Sequence, residues 1–175
     1  MRTTIIDLLN QSVDKYSENP FLWEKTEKEF LPTTYSETQK QAQILAAGLL
    51  KLGVQKGDRI ALLSEGRNAW IIGELGILHT GAINVPLSIK LEESNDLIFR
   101  LKHSEAKYIM VSGGQLRKIR AIAGSLPEVK YIIIFDEQVD YEANELTLAQ
   151  IMAWGKDVLA KNPDAVNVVA STVKP

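Results

Sequence analysis

Ser112-Gly113-Gly114 is the first candidate site, because it lies between an apolar run typical of a strand and a stretch with helical periodicity. Backbone amides and the helix dipole at such a junction can hold a phosphate group. In the alternative role, Ser112 caps the helix and the two glycines relax a tight turn. Neither the dinucleotide-binding fingerprint nor the P-loop pattern surrounds these residues, so capping is the favoured interpretation.

Ser64-Glu65-Gly66-Arg67-Asn68 is the second candidate, since it follows a predicted buried strand. Open α/β sheets bind ligands at the carboxyl ends of their strands. Arg67 could meet an anion there, and Asn68 could line a pocket. The alternative, which we favour, is that Asn68 caps the next helix and Arg67 is solvated.

The two histidines, His79 and His103, are too few and too far apart to predict a zinc site. His79 lies near the end of an apolar helix, where we expect it to satisfy nearby carbonyl groups rather than to serve a ligand or catalysis. His103 is predicted to be a surface residue at a helix terminus, a position that the helix dipole favours.

An acidic segment precedes the last predicted helix and could hold a cation. Its spacing resembles no calcium loop, so a solvated loop is the favoured interpretation. The three tryptophans are predicted to face the core or a partner, and no serine, histidine and acid combination has the context of a nucleophile elbow. We therefore assign no catalytic, cofactor-binding or metal residue. The acidic residues are Asp136, Glu137, Asp140, Glu142 and Glu145, and the tryptophans are Trp23, Trp70 and Trp154.

Composition narrows the classes of function. A chain of 175 residues fits a single domain, 1–175, with a real core, and its formal charge of -2 gives no reason to expect nucleic acid. Without cysteine there is no disulfide framework and no thiolate chemistry. The N-terminus lacks the apolar segment of a signal peptide, and no window reaches eighteen apolar residues, so we expect a cytoplasmic protein.

Start and stop signals define the N-terminal elements. Thr4-Ile5-Ile6-Asp7 is an acidic variant of the capping box and begins a helix that ends near Ser17. Residues 21–35 predict a hairpin with its turn near Glu27-Lys28. A second capping box, Thr34-Tyr35-Ser36-Glu37, begins a helix that Gly53 stops in a left-handed conformation.

Strands and helices then alternate four times, which predicts an α/β fold with a parallel sheet wrapped by helices and joined by right-handed crossovers. Gly73 and Gly76 in one apolar helix predict the close approach of a neighbouring backbone. Residues 162–175 predict a linker or a stray edge strand. The predicted strands are residues 59–63, 82–86, 108–111 and 131–135, and the predicted helices are residues 68–80, 97–101, 116–122 and 147–161.

Four stretches resemble the adenylate-forming acyl-CoA ligases, in order and with sensible spacing. Thr34-Tyr35-Ser36-Glu37 resembles the early Thr-Tyr-x-Glu element of that family, and residues 53–63 resemble its Gly-x-x-Lys-Gly-Asp-Arg-Val segment. Residues 78–87 resemble its Leu-x-x-Gly-Ala-x-x-Val-Pro core motif. His103-Ser104-Glu105-Ala106-Lys107 resembles the segment that leads into the next strand.

Arg67-Asn68-x-Trp70 with its long apolar helix resembles the long-chain fatty-acid members most, although Ser88-Ile89-Lys90 departs from their aromatic and Pro-Thr turn. The resemblance implies a parent enzyme that uses ATP, magnesium and coenzyme A to convert a fatty acid, or another carboxylate, into a thioester through an acyl-adenylate. The residues that do this chemistry in the family lie beyond the matched region. We therefore expect an N-terminal subdomain that ends before the nucleotide loop, with 162–175 as a linker toward it.

Three hypotheses follow. The first is an N-terminal ligase fragment that is inactive alone, needs the rest of the ligase as its partner, and self-associates through apolar surface that the rest would cover. The second is a stand-alone, non-catalytic α/β binding or regulatory module. The third is an unrelated nucleotide-binding domain that uses Ser112–Gly114. The sequence leaves acyl-chain length and peripheral membrane contact open.

Overall fold

Seven α-helices and seven strands occur in residues 3–174, the part of the chain that this computed structural model describes. A short 3-10 turn, Ala123–Ser125, follows the fifth helix. The helices are α1 (Ile5–Tyr16), α2 (Tyr35–Leu52), α3 (Asn68–His79), α4 (Ser94–His103), α5 (Gly113–Ile122), α6 (Leu148–Lys161) and α7 (Ala165–Ala170). The strands are β1 (Pro20–Lys25), β2 (Phe30–Thr34), β3 (Arg59–Leu63), β4 (Ile83–Leu87), β5 (Ala106–Val111), β6 (Tyr131–Ile134) and β7 (Glu145–Thr147).

The five later strands form one parallel sheet in the order β4-β3-β5-β6-β7, and β1 and β2 form a separate antiparallel hairpin. This architecture confirms the predicted α/β fold. From β3 the chain runs first to β4 on one side and later to β5 on the other, so the strand order reverses between β3 and β5. Such a reversal opens a crevice at the carboxyl ends of the two strands, which is where open α/β sheets bind ligands.

Strand β3 shows how the sheet fills two apolar layers. Ala61 and Leu63 pack among the side chains of α4 and α5. Ile60 and Leu62 point the other way and pack among those of α2, α3 and α6. All four residues are fully buried. Burial on both faces explains why the strand is an unbroken apolar run rather than an alternation of apolar and polar residues.

Local capping signals determine where the first two helices begin and where α2 ends. At α1, the Asp7 amide donates to Thr4 Oγ1 at 3.0 Å and the Thr4 amide donates to Asp7 Oδ2 at 2.9 Å, which confirms the predicted capping box. At α2, the Glu37 amide donates to Thr34 Oγ1 at 3.2 Å, while the return bond is absent from the described residues. Gly53 ends α2 with a φ of 103°, as predicted.

The backbones of α2 and α6 come close together at Gly48 and Gly155, two positions that the sequence did not single out. A Cβ atom on Gly48 would lie 2.0 Å from the carbonyl oxygen of Ile151. A Cβ atom on Gly155 would lie 1.8 Å from the carbonyl oxygen of Ile44. Both distances are far below van der Waals contact, so only glycine fits at this helix crossing.

The predicted backbone approach at Gly73 and Gly76 is wrong. A Cβ atom on Gly73 would come within 3.0 Å of Leu62 Cδ1, and one on Gly76 within 2.7 Å of Leu45 Cδ2. These glycines therefore make room for core side chains rather than for another backbone. The helix is still covered on more than one side, as its apolar composition indicates.

Residues 165–170 form the short helix α7, so the edge-strand alternative for the tail is wrong. Val166 is buried against Ala46 and Ala47 of α2. This packing favours a helix here, although the segment is rich in β-branched residues. Whether the tail links to a further segment stays a prediction. Among residues 3–174, no helix combines the length and apolarity that a bilayer crossing needs.

Candidate functional site

The carboxyl edge of the sheet, between β3 and β5, brings together the three segments that the sequence analysis treated separately. Arg67 follows β3, Gly113 follows β5, and Asp136 follows β6. Arg67 Nη1 donates to both oxygens of the Asp136 carboxylate, at 2.7 and 2.9 Å. The Gly113 amide donates to Asp136 Oδ2 at 2.8 Å. We call this group, completed by Glu65, Ser112 and Gln115, the switch-point network.

Asp136 supplies the anion that the N-terminus of α5 attracts. Its carboxylate lies on the first amide of the helix, where the dipole stabilises negative charge. Ser112 is the N-cap residue by position, but its hydroxyl caps no amide, so the predicted side-chain cap is wrong. Although Ser112 is 1% exposed, its Oγ has no hydrogen-bond partner in the described structure.

Glu65 forms the other side of the switch-point network. Gln115 Nε2 donates to Glu65 Oε1 at 2.6 Å. The pKa of the Glu65 carboxyl is held below its usual range, first by the nearby Ser112 hydroxyl and then by the Gln115 side chain, against the opposing effect of burial. The Ser112 hydroxyl acts here by proximity, since it lacks the geometry of a full hydrogen bond.

The charges of the network do not fit a polyphosphate. Glu65 and Asp136 carry two negative charges and Arg67 carries one positive charge, which leaves a balance of -1. The amide that could hold a phosphate already donates to Asp136. A triphosphate brought to Ser112–Gly114 would therefore meet two carboxylates, one of them already bound to the only arginine of the network. We derive no nucleotide chemistry from these residues.

Two expectations for the segment after β3 are wrong. Asn68 is the first residue of α3 rather than its cap, and its Nδ2 donates to Thr33 Oγ1 of the hairpin at 3.2 Å. Arg67 occupies the cap position without a side-chain cap bond, and its side chain is paired with Asp136 instead of solvated. The segment ties the hairpin and the loop after β6 to the edge of the sheet.

The solvated-loop prediction for the acidic segment is wrong at Glu145, whereas Glu137, Asp140 and Glu142 are exposed as predicted. Glu145 begins β7, and its side chain is fully buried. Arg120 of α5 donates to it through Nε at 2.8 Å and Nη2 at 2.7 Å, and the Glu142 amide donates to it at 2.9 Å. These bonds, those of Arg120 foremost, hold the pKa of Glu145 below its usual range. The same pairing raises the pKa of Arg120.

The two histidines are not part of the switch-point network. His79 is 1% exposed, and its Nδ1 lies 2.7 Å from the Leu75 carbonyl oxygen, which confirms the predicted contact with a carbonyl. His103 ends α4 on the surface and stacks on Phe99 with the ring centroids 5.4 Å apart, which confirms its helix-terminal position. Within residues 3–174, no three His, Asp or Glu side chains are grouped to hold a metal ion.

Three of the segments that carry the family resemblance meet at the opposite, amino edge of the sheet. The Gly57 amide donates to the Gly81 carbonyl oxygen at 2.9 Å, which joins the turn before β3 to the turn before β4. Lys107 of β5 pairs with Asp58 at 2.7 Å, and Arg59 Nε donates to the Ser104 carbonyl oxygen at 2.9 Å. The motifs therefore lock three strand starts together.

Asp58 is the centre of this amino-edge cluster. It is 6% exposed, and burial by itself would raise the pKa of its carboxyl. The hydrogen bonds from Lys107 and from the Gln55 amide outweigh burial, so the pKa lies below its usual range. Gly57 and Gly81 have φ angles of 86° and 73°, which glycine adopts without strain. Their role is to build the fold.

Comparison with known proteins identifies the family. The family described as AMP-binding enzyme matches residues 9–170. A long-chain-fatty-acid–CoA ligase of Xenopus laevis, ACSBG2, is 27% identical over 98% of this chain and 23% of its own length. The 4-coumarate–CoA ligase 1 of Petroselinum crispum is 30% identical over 73% of this chain and 24% of its own length. The chain thus spans about a quarter of these relatives.

The fold agrees with a solved structure of the same class. The crystal structure of the anthranilate CoA ligase AuaEII with anthranoyl-AMP superimposes with a TM-score of 0.74. The two sequences are 22% identical, and the superposition covers 85% of this chain and 27% of the ligase chain. At this identity the similarity supports the fold and nothing more. The match of the family over nearly the whole chain carries the assignment: this chain belongs to the AMP-binding enzyme family, the adenylate-forming ligases.

Proposed function

We propose that this chain supplies the N-terminal subdomain of a ligase that joins a long-chain fatty acid to coenzyme A through an acyl-adenylate. One observation carries the proposal. The family match covers residues 9–170, whereas the chain spans only 23% of the Xenopus laevis long-chain-fatty-acid–CoA ligase to which it is similar. The ligase reaction would require the segments that such relatives contain beyond the quarter of their length that this chain matches.

In this proposal the chain is a scaffold that is inactive by itself. The amino-edge cluster fixes the starts of β3, β4 and β5, and the switch-point network closes the carboxyl edge with the chain's own charges. ATP, magnesium and coenzyme A would be held by the remainder of the ligase. That remainder would be the main partner, and exposed apolar side chains such as Trp23 and Phe30 favour self-association of the isolated chain.

A pyrophosphate-release assay with ATP, magnesium, palmitate and coenzyme A tests the proposal. The isolated chain is expected to show no turnover above that of a preparation of an unfolded variant, Leu49→Asp, purified in the same way. Leu49 is fully buried, so the aspartate disrupts the core while any contaminating ligase would be retained. Turnover that exceeds this control, with acyl-CoA detected by mass spectrometry, would overturn the inactive-scaffold proposal.

The reading frame downstream of Pro175 tests the same proposal from the other side. A continuation into a Thr-Ser-Gly-Thr-Thr-Gly-like loop supports a ligase, whereas a stop codon there supports a stand-alone module. For a protein that contains the loop, release of pyrophosphate with palmitate should exceed release with 4-coumarate. The reverse order would reassign the substrate class toward that of the Petroselinum crispum relative. Fractionation of cells tests the expected cytoplasmic location.

A further inference from the structure

The segment that follows α7, residues 171–173, lies against the amino edge of the sheet, at the opposite edge from the switch-point network. Lys56, in the turn before β3, donates from Nζ to the Thr172 carbonyl oxygen, and this bond joins residues 116 positions apart. Val173 reaches the turn before β4, where a Cβ atom on Gly81 would lie 3.4 Å from Val173 Cγ2. We call residues 171–173 the C-terminal strap.

The helix before the strap does not by itself hold the strap in place. Val166, at the start of α7, is the buried residue of that helix. The hydroxyl groups of Ser171 and Thr172 each donate, at 2.8 Å, to a carbonyl oxygen three residues earlier in the chain. These local bonds shape the turn after α7 but attach it to no other element. The position of the C-terminal strap therefore depends on its contacts with the amino edge.

Gly81 forms the surface on which these contacts are made. Its φ of 73° belongs to the left-handed region, and its carbonyl oxygen accepts the Gly57 amide at 2.9 Å. A Cβ atom on Gly81 would lie 3.0 Å from Lys56 Cγ, so the glycine leaves room for the lysine stem as well as for Val173. Lys56 and Gly81 both belong to the segments that resemble the ligase family, residues 53–63 and 78–87.

The ammonium group of Lys56 suits the carbonyl groups at the end of α7. Carbonyl groups there lack an intrahelical donor and carry partial negative charge. Within residues 3–174, Lys56 forms no ion pair, and its Nζ also lies 3.4 Å from Thr172 Oγ1. Both residues are exposed, so water screens the contact and keeps it weak. A weak contact of this kind can open while the core stays folded.

We propose that Lys56 is the catch of the C-terminal strap: it holds residues 171–173 on the amino edge and can release them without unfolding the sheet. One consequence rests on the proposed ligase function. In a ligase, the segment that follows the strap would leave the subdomain from beside the start of β4, at a place that Lys56 and Gly81 fix. The catch itself depends only on contacts within this chain, so it can be tested on this chain alone.

Amide hydrogen exchange of the whole chain, followed by NMR, tests the proposal. The Thr172 and Val173 amides each donate to a carbonyl oxygen of α7 at 3.0 Å, so their exchange reports whether the strap is in place. In Lys56→Met, which keeps most of the stem beside Gly81, both amides are expected to exchange about fivefold faster, the scale of one exposed hydrogen bond to a charged group. Equal exchange in the parent chain and in Lys56→Met overturns the proposal.

Two further variants separate a catch from a general structural role. Lys56→Arg keeps the charge and the donors, so its strap amides are expected to exchange as in the parent. Lys40→Met, at an exposed lysine of α2, is the matched control for Lys56→Met, and the two are expected to share one midpoint of urea unfolding. Exchange as fast in Lys56→Arg as in Lys56→Met, or a midpoint that falls in Lys56→Met alone, overturns the proposal. A failure of the ligase proposal in the pyrophosphate assay would change none of these results, so the two proposals fail separately.

Discussion

Two acidic regions of this molecule meet their counter-charges in different ways. In the loop from Asp136 to Glu145, the carboxylates at both ends are bound by arginines of the same chain. A cavity of about 620 Å³ lies between α1, α2, α3 and α7, and among the described residues its walls include Asp7 and Asp14 but no lysine or arginine. The first region, called the closed region here, has the carboxylates at its two ends neutralised by arginines. The second region keeps its negative charge unpaired beside open volume.

The largest effect is expected when the closed region loses its buried partner, in Arg120→Met. Glu145 would remain as a fully buried carboxylate without its arginine, and such uncompensated charges are strongly destabilising. We expect the melting temperature to fall by about 10 °C, as measured by circular dichroism. Arg117→Met, on the same helix but exposed, is the control. Equal melting temperatures for the two variants would show that Glu145 does not depend on Arg120.

A smaller effect is expected from Asp136→Ala at the other end of the loop. The substitution removes the pair with Arg67 and the bond from the Gly113 amide, but both side chains are about one-third exposed, at 30% and 36%, so water screens the loss. We expect a cost of about 1 kcal/mol in the free energy of unfolding, measured by urea titration. Glu137→Ala, at the exposed neighbouring residue, is the control.

The same variant can convert the closed region into an open one. Without Asp136, the Arg67 guanidinium and the first amide of α5 lose their anion, and this pairing of arginine with a helix N-terminus suits a phosphate ion. Inorganic phosphate is therefore expected to raise the melting temperature of Asp136→Ala and not that of the parent chain. Stabilisation of both proteins to the same extent would contradict the view that Asp136 fills the site.

Sequence predicted the elements well because their signals are local. The apolar run of β3, the capping box at Thr4 and the stop at Gly53 each depend on neighbours that are close in the chain. The backbone contact between Gly48 and Gly155 escaped prediction because it joins helices that are distant in the chain. The three-residue strand β7 is too short for a period, and only its pairing with β6 defines it.

The candidate site was predictable in its parts but not in its assembly. Sequence drew attention to Arg67, to Ser112–Gly114 and to Asp136, and the rule for open α/β sheets placed Arg67 at the carboxyl edge. Nothing in the spacing indicates that Asp136 reaches back across the edge to bind both, 69 residues from Arg67. The same holds for Glu145, since a carboxylate in an acidic stretch is usually solvated until a distant arginine buries it.

His79 and the carboxylates of Glu65 and Glu145 affect the stability of the fold in different pH ranges. His79 has a folded-state pKa below its ordinary value of 6.5, so below pH 6.5 the unfolded chain binds a proton that the folded chain refuses. Stability therefore falls as the pH drops from 7 toward 5, by at most about 1.4 kcal/mol per pH unit. The pKa values of Glu65 and Glu145 are also lowered, so they add stability that is lost as the pH falls below their ordinary value of 4.5. Urea titrations across this range measure both windows.

His79→Asn provides the control for the upper window, because asparagine keeps a donor for Leu75 but does not titrate. We expect its free energy of unfolding to be flatter than that of the parent between pH 7 and pH 5. The lower window should be unchanged, since the carboxylates of the closed region are intact. An equally steep loss of stability in the variant between pH 7 and pH 5 would assign the upper window to another group.

The smallest effect on stability is expected from Asp14→Asn. Asp14 is exposed and has no partner in the described part of the chain, so the change should stay within about 0.5 kcal/mol by urea titration. Asp7→Asn gives the contrast, since it weakens the capping box with Thr4 and should lower stability measurably more. A residue whose bonds hold the fold together costs stability when it is replaced, and an exposed residue without such bonds does not. Loss of stability in Asp14→Asn equal to that in Asp7→Asn would therefore place Asp14 with the folding residues, as in the closed region, and remove the difference between the two acidic regions.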